Sequence, residues 1–423
     1  MSNNNWIVFS IEEIKSDVPN ALAMGPFGSN ITKDNFVESG VPVIRGGNLS
    51  DGRFLYEGFV YLTEEKADQL RASNAIPGDL VFTHRGTLGQ VGIIPKAIYR
   101  RFVVSQSQMK LTCDRNKVNP LFLYYYFCGI GNDELLKHKS GSDVPAIASP
   151  LTTLKSIKVN LPPLPIQDKI AGILSAYDDL IENNTRRIRI LEEMAQAIYR
   201  EWFVHFRYPG HKSVPLVESE LGLIPQGWEV VKIREVSSYI NRGVSPTYDE
   251  SSPSIVINQK CIRDGQLNIE LARNHSTKVL PSKMVKFGDV LINSTGVGTL
   301  GRVTQVYQTL SDTTVDSHVT IVRPSEKVSI EYFGYYLLGL QEFFDHSGAG
   351  STNQTELGRQ IISNKEFLNP PIDIQKAFSE VVQPVKKSIN NLQIRNKNLR
   401  QQRDLLLPRL VSGELDVEKI MGQ

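Results

Sequence analysis

Cysteine is scarce in this sequence. Cys113, Cys128 and Cys261 are odd in number and widely spaced, which excludes a disulfide framework and a cysteine-based metal cluster and points to free thiols in a reducing cytoplasm. Long apolar runs are also missing. The richest, Leu121–Ile130 (LFLYYYFCGI), falls far short of the roughly 20 residues that span a bilayer. The opening MSNNNWIVFS has no basic segment followed by an apolar one, so no secretory signal is visible. Nor is there a large charge excess: the formal net charge is +2 over 423 residues, so any nucleic-acid reading must come from local distribution. With 40% hydrophobic and 22% charged residues the composition is that of a soluble protein, long enough for two or three domains with full cores.

An assembled active site is the next absence. Asn369-Pro370-Pro371-Ile372 resembles the Asn-Pro-Pro-aromatic clamp of amino-methyltransferases, but Ile372 stands where an aromatic must stack on the flipped base. The corresponding Leu161-Pro162-Pro163-Leu164 lacks both the Asn and the aromatic, so both segments read as helix starts. Gly296-Val-Gly-Thr-Leu-Gly301 satisfies G-x-G-x-x-G after a strand. The following Arg302–Val306 alternates like a strand, where a dinucleotide site needs a helix N-terminus, and the segment is read as a β-hairpin loop. His84, His275, His318 and His346 show no metal spacing. Asp178 and Asp179 are adjacent on a helix and face different ways, so they are no carboxylate pair.

What the sequence does have is repetition. Pro162–Arg207 and Pro370–Asp416 start 208 residues apart, and Pro163/Pro371, Gln167/Gln375, Asn183/Asn391 and Leu191/Leu399 coincide. One seven-residue row runs Ile170, Tyr177, Asn184, Leu191, Ile198 in the first copy and Phe378, Val385, Leu392, Leu399, Leu406 in the second. A second row lies four residues on: Leu174, Ile181, Ile188, Ala195, Trp202, and Val382, Ile389, Asn396, Arg403, Leu410. Two such rows predict long helices that bury one seam against each other, the second seam being the more polar at Asn396 and Arg403. Before each helix lies a segment of short Val/Ile/Phe runs bounded by Gly, Asp and Pro, which predicts a β-rich domain. Expected strands are Val41–Ile44, Leu80–Thr83, Val91–Ile94, Ile255–Ile257, Val290–Ile292 and Val319–Val322. Short helices are expected at Glu64–Ser73, Pro120–Cys128 and Ile330–Phe344. The two segments echo each other, beginning at Trp6 and Trp228: GDLVF at Gly78 matches GDVLI at Gly288, TLGQV at Thr87 matches TLGRV at Thr299, and Gly141-Ser142 matches Gly350-Ser351. Pro209–Gly227 reads as a crossover linker with no counterpart before Trp6, and the two chain ends are expected near each other.

The copies share framework Gly, Asp and aliphatic residues but differ at adjacent polar positions. Arg45 and Asn48 stand against Asn258 and Lys260 or Cys261, His84-Arg85 against Ser294-Thr295, and Ser105-Gln106 against Ser317-His318. One scaffold with two sets of polar tips suits two readers of DNA base edges; loop drift is the competing explanation. The PFGS (Pro26–Ser29) and SGSD (Ser140–Asp143) loops either approach phosphates through backbone N–H groups or merely turn. The basic run Lys386, Lys387, Arg395, Lys397, Arg400, Arg403 and Arg409 is either a solvated helix face or a phosphate contact.

With the PPLPIQDKIAGIL helix, its PPIDIQKAFSEVV echo and the LGLIPQGWEV entry to the second domain, the chain resembles the specificity subunits of type I restriction–modification enzymes over essentially its whole length. The resemblance implies an α+β fold: two duplicated β-rich α/β target-recognition domains separated by an antiparallel pair of long coiled-coil helices. Expected segments are 1–160 and 228–368 for the domains, 161–208 and 369–423 for the helices, and 209–227 for the crossover. It further implies that each domain reads half of a bipartite site in double-stranded DNA. Two methyltransferase subunits and the restriction (translocase) subunits are the implied partners, and S-adenosylmethionine, ATP and Mg²⁺ belong to them rather than to this non-catalytic chain. The helices would then set the spacing of the half-sites. A single-chain DNA adenine methyltransferase with its own recognition domains is the alternative, and a coiled-coil adaptor without a DNA role is a third reading.

Overall fold

The computed structural model describes residues 6–418 apart from 53, 55–57, 97–98, 142 and 349–355. Ser142, Gly350 and Ser351 of the sequence echo therefore lie outside the described residues. The chain divides into two compact units, Met1–Glu182 with Asn396–Gln423, and Asn183–Arg395.

In the first unit a four-stranded antiparallel sheet runs in the order Leu22–Met24, Gln108–Leu111, Leu80–Thr83, Val91–Ile93. A second sheet has the order Val60–Leu62, Val41–Ile44, Phe102–Val104, Asn74–Ala75, and its two central strands are parallel. Val41–Ile44 and Leu80–Thr83 are buried at every position. Continuous apolar runs, rather than alternation, are what strands covered on both faces require. The first strand of the unit, Ile7–Ser10, pairs antiparallel with Lys158–Leu161, and the chain then enters the first long helix, Leu164–Tyr199.

The second unit repeats this plan. Its four-stranded sheet is Ser237–Arg242, Val319–Pro324, Val290–Asn293, Val303–Gln305. Its second sheet is Arg273–Asn274, Ile255–Ile257, Thr313–Val315, again with the parallel pair at the same place. Glu229–Lys232 pairs with Glu366–Asn369 before the second long helix, Ile372–Val411. The duplication seen in the sequence is thus a duplication of topology, and the α+β class with long helices stands. The Gly296 loop joins two antiparallel strands, Val290–Asn293 and Val303–Gln305, so it is a hairpin loop. Residues 209–227 are more than a linker. They fold into an antiparallel hairpin, Leu216–Ser219 with Gly222–Pro225, anchored by buried Ile224.

Framework echoes have common physical causes. Gly78 and Gly288 sit at φ +95° and +88°, a region that L side chains rarely adopt, so glycine is required at both turns. The aspartate after each is buried and accepts a backbone N–H across the turn: Asp79 from Ile76 at 3.0 Å, Asp289 from Lys286 at 2.8 Å. Each also meets a cation on the neighbouring strand. Arg323 grips Asp289 with two bonds of 2.7 and 2.8 Å, whereas Lys110 stands 3.8 Å from Asp79.

The double prolines open both long helices, and the coincident glutamines brace them. Gln167 donates to Pro162 O at 2.8 Å and accepts from the N–H of Asn119, the residue that caps the short helix Pro120–Phe127. Gln375 donates to Pro370 O at 2.7 Å and accepts from the N–H of Ser329, which caps the short helix Ile330–Gly339. Gln375 also donates to the Asn369 side-chain oxygen at 3.1 Å, so Asn369-Pro-Pro-Ile is a braced helix start.

All twenty positions of the two heptad rows are buried or half-buried. In the first unit Ile170 and Leu174 pack with Leu407 and Leu410; in the second, Ala195 and Phe203 pack with Phe378 and Val382. Each buried Leu, Ile or Phe contributes about 1.5–3 kcal/mol. In both units the chains run antiparallel: Asp178 faces Arg403 and Ile181 faces Asn396, while Trp202 and Phe203 lie on Phe378. The polar seam residues are satisfied in place. Asn396 donates to Ile181 O at 3.4 Å, and Arg403 pairs with Asp178, whose other oxygen accepts the Tyr125 hydroxyl at 2.7 Å. Asp178 is therefore a structural anion, and Asp179 is exposed. The basic run is not one uniform face either. Arg403 points into the seam, and the Lys386 ammonium lies 4.7 and 4.8 Å from the ring centres of Tyr307 and Tyr335.

Candidate nucleic-acid interface

In each unit three connections leave the same end of the sheets. In the first they begin at Arg45, after the strand Val41–Ile44; at His84, in the hairpin after Leu80–Thr83; and at Ser105, between Phe102–Val104 and Gln108–Leu111. Backbone bonds lock them together. Ser105 N donates to Ile44 O at 2.9 Å, His84 N to Ser107 O at 2.9 Å, and Asn48 N to Arg45 O at 2.9 Å. The second unit makes the same three bonds: Asp316 N to Ile257 O at 2.9 Å, Ser294 N to His318 O at 2.8 Å, and Cys261 N to Asn258 O at 3.0 Å.

This register corrects one pairing made on residue letters and decides between the two alternatives of another. Ser105 stands opposite Asp316, and Gln106-Ser107 opposite Ser317-His318, so the expected match of Ser105-Gln106 with Ser317-His318 is displaced by one residue. Asn48 corresponds to Cys261 rather than to Lys260. Both are buried, at 2% and 0% exposure, because the fourth residue of this turn points inward.

The first unit gathers Arg45, Arg85, Ser105 and Gln106 around a cleft of about 400 Å³, whose apolar wall is Pro26, Ile31, Phe36 and Val43. Arg45, Arg85 and Gln106 are exposed and Ser105 half-buried. Asn48 and His84 are not on the rim. The Asn48 side-chain oxygen accepts the Arg45 N–H at 2.9 Å and so shapes the turn. His84 is buried, and burial pushes its imidazole below the usual histidine pKa, which favours the neutral ring. These two are supports for the loops, not groups presented to a groove.

Beneath the rim runs a chain of uncharged side chains that the sequence reading missed. The Ser105 hydroxyl donates to the Gln108 side-chain oxygen, Gln108 donates to the Thr83 hydroxyl at 3.3 Å, Thr83 to Gln90 at 3.0 Å, and Gln90 to Gly46 O at 3.1 Å. This chain ties all three connections to one another. The available signal was a polar residue, Thr83 or Asn293, closing an otherwise apolar buried strand in both copies.

In the second unit Thr295 and His318 meet, hydroxyl to Nδ1, at 2.7 Å, and Gln259 donates to the same hydroxyl at 2.8 Å. Gln259 was not foreseen. Lys260 and His318 are exposed, and Ser317 is half-buried beside them. Asn258 uses its side chain on the loop itself, accepting from Lys260 N at 2.9 Å and donating to Leu271 O at 3.0 Å. Ser294 is fully buried and bonded to the Thr320 hydroxyl at 2.6 Å, so it too is a support.

Two glycines lie under these loops without positive φ. Gly25 N donates to Gln108 O at 2.9 Å and Gly243 N to Val319 O at 3.2 Å, positions that correspond in the two units. A Cβ on Gly25 would stand 1.9 Å from Ser105 O, and one on Gly243 1.8 Å from Val315 O. Glycine is there because backbone passes directly over backbone. Of the two glycine-rich loops, the first has Gly28 at φ +59°, and Ser142 of the second lies outside the described residues.

The profile of the type I restriction modification DNA specificity domain matches residues 26–193. The chain is 29% identical over 398 residues to the type I restriction enzyme MjaIX specificity subunit of Methanocaldococcus jannaschii, covering 90% of this chain and 88% of that protein. It is 24% identical over 471 residues to the type I restriction enzyme HindI specificity subunit of Haemophilus influenzae, covering 93% and 98%. The crystal structure of a type I restriction–modification S subunit from M. genitalium shares the fold, with a TM-score of 0.60 at 14% identity and 97% of each chain covered. Residues 26–193 thus match a type I DNA specificity domain, and the chain is similar over most of its length to type I specificity subunits, which supports a role in DNA recognition.

Proposed function

We propose that this chain reads a bipartite site in double-stranded DNA, one half with each β-rich domain, and has no catalytic centre of its own. The observation that carries this reading is the duplicated face. Three connections are locked by the same backbone bonds in both units, yet present Arg45, Arg85 and Gln106 in one and Lys260, Thr295 and His318 in the other. A fixed scaffold with different polar tips is what reading two different short sequences demands. The long helices and the domains would carry two methyltransferase subunits, with restriction subunits joining them. S-adenosylmethionine, ATP and Mg²⁺ would serve those partners, in the cytoplasm. No helix among the described residues is long and apolar enough to cross a membrane. The Asn369-Pro-Pro-Ile segment lends the single-chain methyltransferase reading no support, since Asn369 is engaged by Gln375.

The test is genome-wide mapping of methylated bases in cells with and without this chain, then with Trp228–Leu368 replaced by the same segment of a relative. One half of a two-part motif should change and the other persist. Change in both halves, or methylation independent of this chain, would refute the assignment. Calorimetry of the isolated chain with S-adenosylmethionine should show no saturable binding; a micromolar dissociation constant would favour the methyltransferase instead.

A further inference from the structure

We infer that Arg85 reads a guanine in the half-site of the first domain, its guanidinium donating to O6 and N7 in the major groove. This rests on the DNA-reading role proposed above and adds the base and the residue. The backbone around Arg85 is fixed on two sides. His84 N–H donates to Ser107 O at 2.9 Å, His84 O accepts from Ile147 N at 2.8 Å, and Gly86 N donates to Pro145 O at 2.8 Å. The side chain is exposed at the mouth of the 400 Å³ cleft, and its guanidinium has no hydrogen bond or ion pair among the described residues. Arg45, on the same rim, is tethered to Gly58 O at 2.6 Å. A fixed stem with an unengaged planar fork is suited to bidentate recognition, for which arginine is better shaped than lysine.

A phosphate contact is the competing role, and the duplication discriminates against it. Phosphates recur identically on any DNA, so a scaffold gripping the backbone from this position has reason to keep a cation in both copies. The position of Arg85 is instead Thr295 in the second unit, with its hydroxyl already engaged by His318 and Gln259. Similarly Arg45 corresponds to Asn258, which is bonded within its own loop. Rim side chains that differ between copies on a common frame, unlike the buried supports, are those placed to follow sequence.

The experiment uses the full chain assembled with its methyltransferase subunits on duplexes carrying the mapped site. Replacing Trp228–Leu368 first identifies which half belongs to the first domain. Each guanine of that half is then changed in turn to 7-deazaguanine, which removes N7 alone. One such change should weaken wild-type binding, and the same change should cost Arg85→Ala nothing further. Arg85→Ala itself should bind the site roughly five- to 150-fold more weakly, degenerate that one position and leave the other half-site intact. Arg85→Lys should keep wild-type affinity for unrelated DNA yet lose discrimination at that position. The inference is overturned by a first half-site without guanine or by unchanged binding of Arg85→Ala. Equal weakening of Arg85→Ala on specific and unrelated DNA, with full rescue by Arg85→Lys, would overturn it too, as the signature of a phosphate contact. A wild-type complex with no sequence preference at all would instead overturn the DNA-reading role itself.

Discussion

Adding one methyl group at Gly25 should corrupt half of the recognised sequence and spare the other half. The new Cβ would lie 1.9 Å from Ser105 O and 2.8 Å from Gln106 N, both backbone atoms that cannot rotate away. Ordinary contact begins near 3.4 Å, so the two segments must separate by about 1.5 Å. Separation strains the bonds that hold the loop, Ser105 N to Ile44 O and Gly25 N to Gln108 O, each 2.9 Å. Two weakened backbone bonds cost about 1 kcal/mol each, and overpacking adds about 1–3 kcal/mol, so the first unit should lose roughly 3–5 kcal/mol. For a unit of this size that lowers its thermal midpoint by about 6–20 °C. A loop displaced by this much takes Gln106 out of hydrogen-bonding range of a base edge, where bonds tolerate a few tenths of an ångström. Gly25→Ala should therefore lose discrimination in one half-site, and Gly243→Ala, with its Cβ 1.8 Å from Val315 O, in the other. Methylation mapping of both variants at a temperature where each remains folded is the assay. Unchanged motifs in both, or loss in the same half from both, would refute the argument that each glycine underlies its own reading loops.

Other outcomes follow from the same geometry. Arg323→Ala strands the fully buried Asp289 carboxylate and should destabilise the second unit by about 3–5 kcal/mol, whereas Arg323→Met with Asp289→Leu should recover most of that loss in calorimetry. Gln375→Ala orphans the Ser329 N–H and Pro370 O and should cost about 2–4 kcal/mol, with Gln167→Ala matching it in the first unit; similar losses by thermal unfolding would confirm that the two glutamines do the same work. Burial pushes the Glu192 carboxyl up to about 7, ahead of the effect of neighbouring Glu193. A carboxyl raised on folding binds protons more tightly in the native state, so its contribution to stability falls as pH rises from about 4.5 to about 7. Glu192→Gln should flatten that decline and be the more stable protein at pH 8, by about 1–3 kcal/mol; equal pH profiles from chemical denaturation would count against it.

The framework was legible in the sequence because its signals are periodic or repeated. A heptad seam needs only the count of residues, and all twenty positions it named are withdrawn from solvent, including Asn396 and Arg403, whose polarity had marked them as exceptions. What the count could not supply was the partner: Arg403 is tolerated because Asp178 and Tyr125 arrive from elsewhere in the first unit. The reading face was less legible for a related reason. Its proposed position rests on where the two copies diverge, and Arg45, Arg85, Ser105 and Gln106 gather round one cleft. Which polar residue points outward did not follow, since Asn48, His84 and Ser294 have the same chemistry as their exposed neighbours and differ only in the side of the turn they occupy. Matching serines led the third loop astray by one residue, because letters can coincide where backbone registers do not. Within a duplicated protein the sequence comparison should therefore be anchored on the backbone bonds. Under that anchoring Ser105 lies opposite Asp316, a buried carboxyl raised in pKa by its burial, and Ser107 opposite exposed His318. Divergence at the solvent-facing members, Arg45, Arg85 and Gln106 in one copy and Lys260 and His318 in the other, is where selection for a different DNA sequence can act without disturbing the core.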